Sequence, residues 1–334
     1  MLKALFRISL ILIFASAAGL FYLVWQVYQF SLSPLGHAQE ISYVVKPGAS
    51  LQRIAGDLYR LKLIPRAKHL VLLAKWYKVD HKIKIGEYHI SPSLTPVMLL
   101  EKMVKGDVVQ YELTVVEGWR FSQLLEAIAQ QPHLNQTLTG LSADEIMVRL
   151  GFAGQHPEGR FFPDTYKFPG GTTDVDFLRR AYKNMAQVLN QEWQNRDPDL
   201  PYKTSYEALI MASIIEKETG QSSERQAIAG VFVRRLLKKM YLQSDPTIIY
   251  GMGESYDGNI RRQDIKNDTP YNTYKHGGLT PTPIALPGLA AIHAALHPQE
   301  GNAIFFVARG DGSHVFSVTL AEHNANVVKY QLKK

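Results

Sequence analysis

Cysteine is absent from all 334 residues. That excludes disulfides, thiolate nucleophiles and cysteine-ligated metal, so packing alone must hold the fold, which is compatible with an oxidising, exported setting. Other signatures are missing too. There is no HExxH or comparable histidine pair suggesting zinc, no GxSxG nucleophile elbow and no glycine-rich phosphate loop. His293, His297, His314 and His323 read as core or surface residues, and neither metal nor cofactor is expected. Negative charge is in deficit: 30 acidic residues against 37 lysines and arginines leave a net charge of +7. Such an excess suits a solvated surface, an anionic envelope polymer or an anionic membrane.

What is present begins with an apolar run at Ile8–Val27, interrupted only by serine, glycine, tyrosine and Gln26. A helix of about 20 such residues crosses a bilayer. Lys3 and Arg7 precede the run and no lysine or arginine follows until Lys46, so the positive-inside bias keeps the N-terminus in the cytoplasm and exports the remainder. Small residues at Ala15-Ser16-Ala17 and Ala17-Ala18-Gly19 offer a cleaved signal peptide as the competing reading. The run continues past them through Phe21–Trp25, which favours an uncleaved anchor over residues 8–30, with Tyr22, Trp25 and Tyr28 in the outer interfacial belt. Export in turn argues against nucleic acid as the partner of the positive charge.

Residues 31–40, SLSPLGHAQE, read as a polar linker. After them ISYVVKPG predicts a strand ending in a Pro-Gly turn, Leu51, Ile54, Ala55 and Leu58 predict a helix, and a second strand is expected over 84–91. The segment VVKPGASLQRIA resembles a LysM module, a resemblance that implies binding of amino-sugar glycans by residues 41–107. A generic α+β spacer is the alternative.

The most informative stretch is ALIMASIIEKETG at 208–220. At about 100° per residue, Ile210, Met211, Ile214 and Ile215 cluster on one arc, Glu218 falls near its centre, and Glu216 points almost the opposite way. Thr204 three residues before Glu207 predicts a capping box, and Gly220 a glycine C-cap. A carboxylate turned toward a core loses hydration, its pKa rises, and it becomes a candidate general acid. Pairing with a neighbouring cation is the plain alternative.

Two turn-rich segments follow a helix at 222–240, whose Arg225, Arg234, Arg235, Lys238 and Lys239 are expected on its polar side. LQSDPTIIYGMG and TPYNTYKHGGLTPTPIALPG concentrate Gln243, Asp245, Thr247, Tyr250, Tyr271, Asn272, Thr273 and Tyr274. Flat aromatic faces beside hydroxyls and amides suit sugar rings and their N-acetyl groups, so these eight are the expected substrate-binding residues. The loop GRFFPDTYKFPGGTT at 159–173 is too apolar to be idle and is expected to line or support the site.

In order behind a single anchor, ASIIEKET, SDPTIIYGMG, YNTY, GLTPTPIALPG and GSHVFS resemble the YceG-like family over essentially the whole chain. One departure is Thr282, where a GLPPGPI-like pattern would place glycine, which leaves the shape of that loop open. The resemblance implies an α+β fold with a transmembrane helix, a LysM-like module at 41–107 and a catalytic domain at 108–334. It implies a lytic transglycosylase that cuts nascent peptidoglycan strands internally and leaves 1,6-anhydro-N-acetylmuramic acid ends, with Glu218 as the catalytic acid. Inner-membrane location and peptidoglycan synthases as partners belong to the same implication. A two-carboxylate hydrolase using Asp245 and a non-catalytic, glycan-binding scaffold for synthases are the alternatives. Glu216, roughly 200° away around the helix, is not a suitable second acid.

Overall fold

The computed structural model describes residues 2–332, with side chains described over 6–332, so the side chain of Lys3 lies outside the described residues. The chain divides into two units, residues 1–111 with 168–171 and residues 112–167 with 172–334.

The smaller unit opens with α1, Leu2–Leu32. Within its stretch Phe6–Leu32 an 18-residue window reaches a mean hydropathy of 2.2, and the helix is long and apolar enough to cross a membrane. Helix α1 does not end as a free stalk. Phe30 is 7% exposed and shares a core with Tyr43, Leu58, Leu70 and Tyr88. The segment read as a linker is also fastened: Leu35 N–H donates to Leu94 O at 2.9 Å and Gly36 N–H to Pro92 O at 3.3 Å. Strand β1 (Ile41–Val45) runs antiparallel to β2 (Gly86–Ile90), with Ile41 opposite Ile90. Between them lie α2 (Leu51–Arg60) and α3 (Ala67–Trp76), and α4 (Pro96–Lys105) follows. Helix α2 buries Leu51, Ile54, Ala55 and Leu58, the face its spacing predicts. Ser50 caps it, accepting from Arg53 N–H.

Next come β3 (Gln110–Thr114), α5 (Phe121–Ala129), β4 (Leu134–Asn135), α6 (Ala143–Leu150), β5 (Thr165–Pro169) and β6 (Thr172–Thr173), all in the larger unit except for residues 110–111 of β3 and 168–169 of β5. β3 pairs with β5, and β4 lies parallel to β6. Then come α7 (Asp174–Gln194), α8 (Ser205–Glu218), α9 (Arg225–Leu237), α10 (Asp245–Met252), α11 (Arg262–Lys266) and α12 (Leu289–Leu296). An antiparallel hairpin of β7 (Phe305–Ala308) and β8 (His314–Ser317) precedes α13 (Leu320–Val327).

Helix α8 is the centre of this unit. Every residue from Ala208 to Ile215 is buried, and α7, α9 and α12 pack around it. The amphipathic reading is corrected here, since a helix apolar on all sides over two turns has no water-facing stripe. Each fully buried leucine or isoleucine contributes roughly 1.5–3 kcal/mol, so α8 is a stiff support for whatever stands at its end. Its caps also differ from expectation. Thr204 accepts from Glu207 N–H at 3.2 Å, yet the Glu207 carboxylate turns to Lys203 N–H instead of closing the box. The helix stops at an extended Thr219 (φ −143°, ψ 132°), not at a left-handed Gly220; the Thr219 hydroxyl accepts from Gln221 N–H at 2.9 Å.

Candidate active site

Glu218 is the last residue of α8, half-buried, with its Oε1 accepting a hydrogen bond from Ser244 Oγ at 2.5 Å. Loss of hydration is the main reason its carboxyl is pushed up to about 7, and the nearby charge of Asp245 adds to the rise. The negative end of the helix dipole acts in the same direction. Ser244 and the Arg235 guanidinium oppose it. Arg235 does not lie on a polar face of α9 as expected. It is 6% exposed, donates to Ile304 O and Leu242 O at 2.7 and 2.6 Å, and lies over the Phe305 ring. Glu218 therefore keeps its proton near neutrality while a buried cation, held by carbonyls and not by a carboxylate, stands close enough to moderate it.

Ser244 precedes α10, where a serine hydroxyl ordinarily caps the helix; here it makes no capping bond and is turned onto Glu218. Its backbone is fixed from behind. Ser244 N–H donates to Thr273 Oγ1 at 2.9 Å, and Thr247 Oγ1 donates to Ser244 O at 2.6 Å. Thr247 and Thr273 also share a hydrogen bond at 2.9 Å, and both are at most 2% exposed. Asn272 is 1% exposed and clamps its own loop, donating to Ile265 O and Asn267 O. So Thr247, Asn272 and Thr273 shape the wall and present no free polar group.

The other expected residues sit differently. Gln243 and Asp245 are exposed on either side of Ser244, Gln243 in a left-handed conformation (φ 53°). Asp245 accepts from Tyr274 OH at 2.7 Å, which helps raise the phenol's pKa. Tyr250 and Tyr271 meet edge to face with ring centroids 4.8 Å apart. The Tyr271 hydroxyl lies 2.9 Å from Thr282 Oγ1. That contact resolves the departure at position 282: the threonine is buried, has no positive φ, and gives Tyr271 a hydroxyl partner that glycine lacks.

Three carboxylates were not visible as a set in the sequence. Glu158, one residue before the flagged loop, is 4% exposed, accepts from Phe121 N–H at 2.9 Å and Tyr250 OH at 3.1 Å, and is raised to about 7 by burial. The segment it opens, read as a loop over 159–173, forms strands β5 and β6 from Thr165 on, and its start is constrained, because a Cβ on Gly159 (φ +79°) would fall 2.4 Å from Pro283 Cβ. Glu216, opposite Glu218 around the helix, is not a solvent residue: its side chain is 6% exposed, accepts from Gly288 N–H at 3.0 Å and faces Arg225 at 3.7 Å. Glu224, just beyond Glu218, grips His314 twice, accepting from its backbone N–H at 3.0 Å and pairing with Nδ1 at 2.7 Å. His314 is thus a clasp between the turn after α8 and strand β8.

Among the described residues one group has metal-ligand proximity, Glu192 with His293 and His297. The sequence held its signal in the four-residue spacing of the two histidines. Both imidazoles are already engaged, His293 Nδ1 with Glu192 Oε2 and His297 Nδ1 with Asp197 Oδ1, each at 2.8 Å.

A protonated carboxyl at the end of a rigid buried helix, beside an exposed amide and carboxylate and a half-buried phenol, has the makings of a general-acid centre for a polar, ring-bearing substrate. The chain belongs to the YceG-like family, whose sequence model matches residues 43–329. It is 32% identical to a Bacillus subtilis protein named endolytic murein transglycosylase, over 86% of this chain and 83% of that one. A Streptococcus pneumoniae protein of the same name is 28% identical over 97% of this chain, which spans 65% of its length. The crystal structure of a YceG-like protein from Listeria monocytogenes superposes with a TM-score of 0.56 at 29% identity, covering 86% of this chain and all of that one.

Proposed function

We propose that this protein is a lytic transglycosylase that cuts peptidoglycan glycan strands internally, with Glu218 as its acid and base. The observation that carries the reading is the half-buried Glu218 carboxyl, raised to about 7 and held in one rotamer by Ser244. The protonated acid donates to the glycosidic oxygen between N-acetylmuramic acid and N-acetylglucosamine as positive charge develops at the anomeric carbon. The C6 hydroxyl of the same muramic acid then attacks that carbon and gives its proton to the Glu218 carboxylate. The products are a 1,6-anhydro end and a free acceptor hydroxyl, and the enzyme returns to its starting protonation state. Gln243, Asp245 and Tyr274 are the accessible groups placed to hold the sugar, while Thr247, Asn272 and Thr273 fix the wall behind them.

Asp245 supports a second reading, a hydrolase in which it activates water, because it is exposed and close enough to raise Glu218. Two-carboxylate glycosidases hold their acids about 5–9 Å apart across the scissile bond. Mass spectrometry of the muropeptides released from purified peptidoglycan separates the readings: anhydro ends support the transglycosylase, reducing ends the hydrolase. No release by a folded protein would favour the scaffold.

In this proposal α1 is a single-pass anchor of the cytoplasmic membrane with its N-terminus inside, and residues 108–334 form the extracytoplasmic catalytic domain. Residues 41–107 act as a LysM-like glycan-binding module. The strand, helix, helix, strand order of β1, α2, α3 and β2 supports that assignment. Peptidoglycan synthases are the proposed protein partners, since a membrane-tethered endolytic cutter works where strands are made.

A further inference from the structure

Helix α3 has two faces. His69, Leu70, Leu73 and Ala74 are buried in the small unit, whereas Leu72 and Trp76, one turn apart on the other side, are 40% and 74% exposed. Tyr77, which caps the helix, is 54% exposed. A lone exposed apolar side chain is ordinary, but three at one helix end that line a common groove form a patch that marks an interface. Its location says which kind. A cavity of about 460 Å³ separates Leu72, Trp76 and Tyr77 from Leu20, Leu23 and Val24 of α1, and Leu20, Leu23 and Val24 are themselves 63%, 40% and 44% exposed. The apolar patch on α3 therefore lies level with the outer part of the helix that is long enough to cross a membrane.

The surrounding chemistry fits the same partner. The segment KWYKVDHKIK at 75–84 carries Lys75, Lys78, Lys82 and Lys84 against a single acid, Asp80. Tryptophan and tyrosine with apolar bodies and polar edges settle at the level of lipid headgroups, and lysines beside them attract anionic lipid. Arg66 Nη1 donates to Gln26 Oε1 at 2.9 Å, so α1 has a polar contact to the folded unit at Gln26. The change from apolar to polar surroundings thus falls near Trp25, within the span Leu20–Ser31 of α1 that lines the groove with the tip of α3.

We infer that the C-terminal tip of α3 is a membrane-docking element: Trp76 and Tyr77 enter the outer headgroup layer beside α1, and lipid acyl chains fill the groove between Leu72 and Leu20–Val24. The small unit is then held against the bilayer at two points, α1 and the α3 tip. This rests on α1 spanning the membrane, and the experiment separates the two claims.

Full-length protein carrying one tryptophan at a time, at position 25, 76 or 193 with the others changed to phenylalanine, is reconstituted into phosphatidylethanolamine–phosphatidylglycerol vesicles with bromine-labelled acyl chains. Quenching of Trp25 and Trp76 alike, with Trp193 unaffected, is the expected result. Quenching of Trp25 but not Trp76 overturns the docking claim while α1 remains a membrane helix. Quenching of neither overturns the membrane reading and the docking claim together. Because the chain has no cysteine, Leu72→Cys in otherwise wild-type protein gives a check that leaves every tryptophan in place. Its labelling by a membrane-impermeant maleimide should be several-fold slower in vesicles than in detergent, with Gln52→Cys labelled equally in both. Equal rates for Leu72→Cys overturn the proposal.

Discussion

The Ser244 hydroxyl donates to Glu218 Oε1 at 2.5 Å although Ser244 occupies the N-cap of α10. A capping bond there would contribute about 1 kcal/mol to that helix. It is forgone, and the hydroxyl instead fixes the rotamer of the one acid at the end of α8. This hydrogen bond holds the pKa of Glu218 below what burial alone would give. Ser244→Ala should therefore leave Glu218 with a still higher pKa. The basic limb of the pH–rate profile for strand cleavage should move to higher pH, and the maximal rate should fall by about tenfold from lost positioning. An unmoved limb with unchanged rate would dissociate Ser244 from the acid.

Glu218→Gln keeps the size of the side chain and removes the transferable proton. Release of muropeptides should drop roughly a thousandfold. Thermal melting should be unchanged or slightly raised, since a half-buried titrating group is replaced by a neutral one. Glu216→Gln should do the reverse, costing stability through its Arg225 and Gly288 contacts while retaining most activity.

The pH dependence of activity follows from the same proton. Glu218 is protonated below about 7. Cleavage should be flat on the acid side of that value and decline above it, approaching tenfold per pH unit at roughly two units beyond. Assays of initial rate against pH on one glycan substrate measure it directly.

Stability, too, should decline over the same range, through a different carboxyl. Glu158 is raised from 4.5 to about 7 in the folded state. The unfolded chain releases this proton first, so the stabilisation is complete below the unfolded value and is lost as pH rises through the folded one, by on the order of 2–4 kcal/mol. Glu158→Gln can still accept from Phe121 N–H and should lose this part of the slope. Melting temperatures of wild type and variant should converge at low pH, and the variant should be the more stable well above neutrality.

Gly159→Ala tests the loop. With φ at +79° and Pro283 Cβ 2.4 Å from where a methyl would stand, the substitution should cost roughly 2–4 kcal/mol, read as a lower denaturant midpoint.

Sequence reading succeeded where the signal was local. The spacing of Leu51, Ile54, Ala55 and Leu58 and the apolar run of α1 each lie within one segment, whereas the stretch at 242–253 read as turn-rich is helix α10 from Asp245 to Met252. Family resemblance on short motifs singled out the correct family. What failed was anything set by distant neighbours. Glu216 reads as a surface residue until Arg225 and Gly288 are brought to it, and Glu158 is unremarkable until Tyr250 arrives from 92 residues away. Arg235 sits among five basic residues, and only packing decides that it turns inward to Leu242 and Ile304 while Arg225 faces Glu216 and Arg234 reaches Ala303 O. The all-round burial of α8 was invisible for the same reason, because the helix's own period cannot say how many partners surround it.

Phe30 belongs both to the long apolar helix α1 and to the core of a folded unit. Rotation and length are therefore locked together in α1. Each residue inserted between Val24 and Phe30 would lengthen the helix by about 1.5 Å but swing Phe30 by about 100°, away from His69 and Leu70. Seven inserted residues, close to two full turns, would bring it back to within about 20°. If α1 is the proposed anchor, its reach can thus be reset only by near-whole numbers of turns, the first close match coming at roughly 10 Å, and a gradual adjustment of height is denied to this architecture.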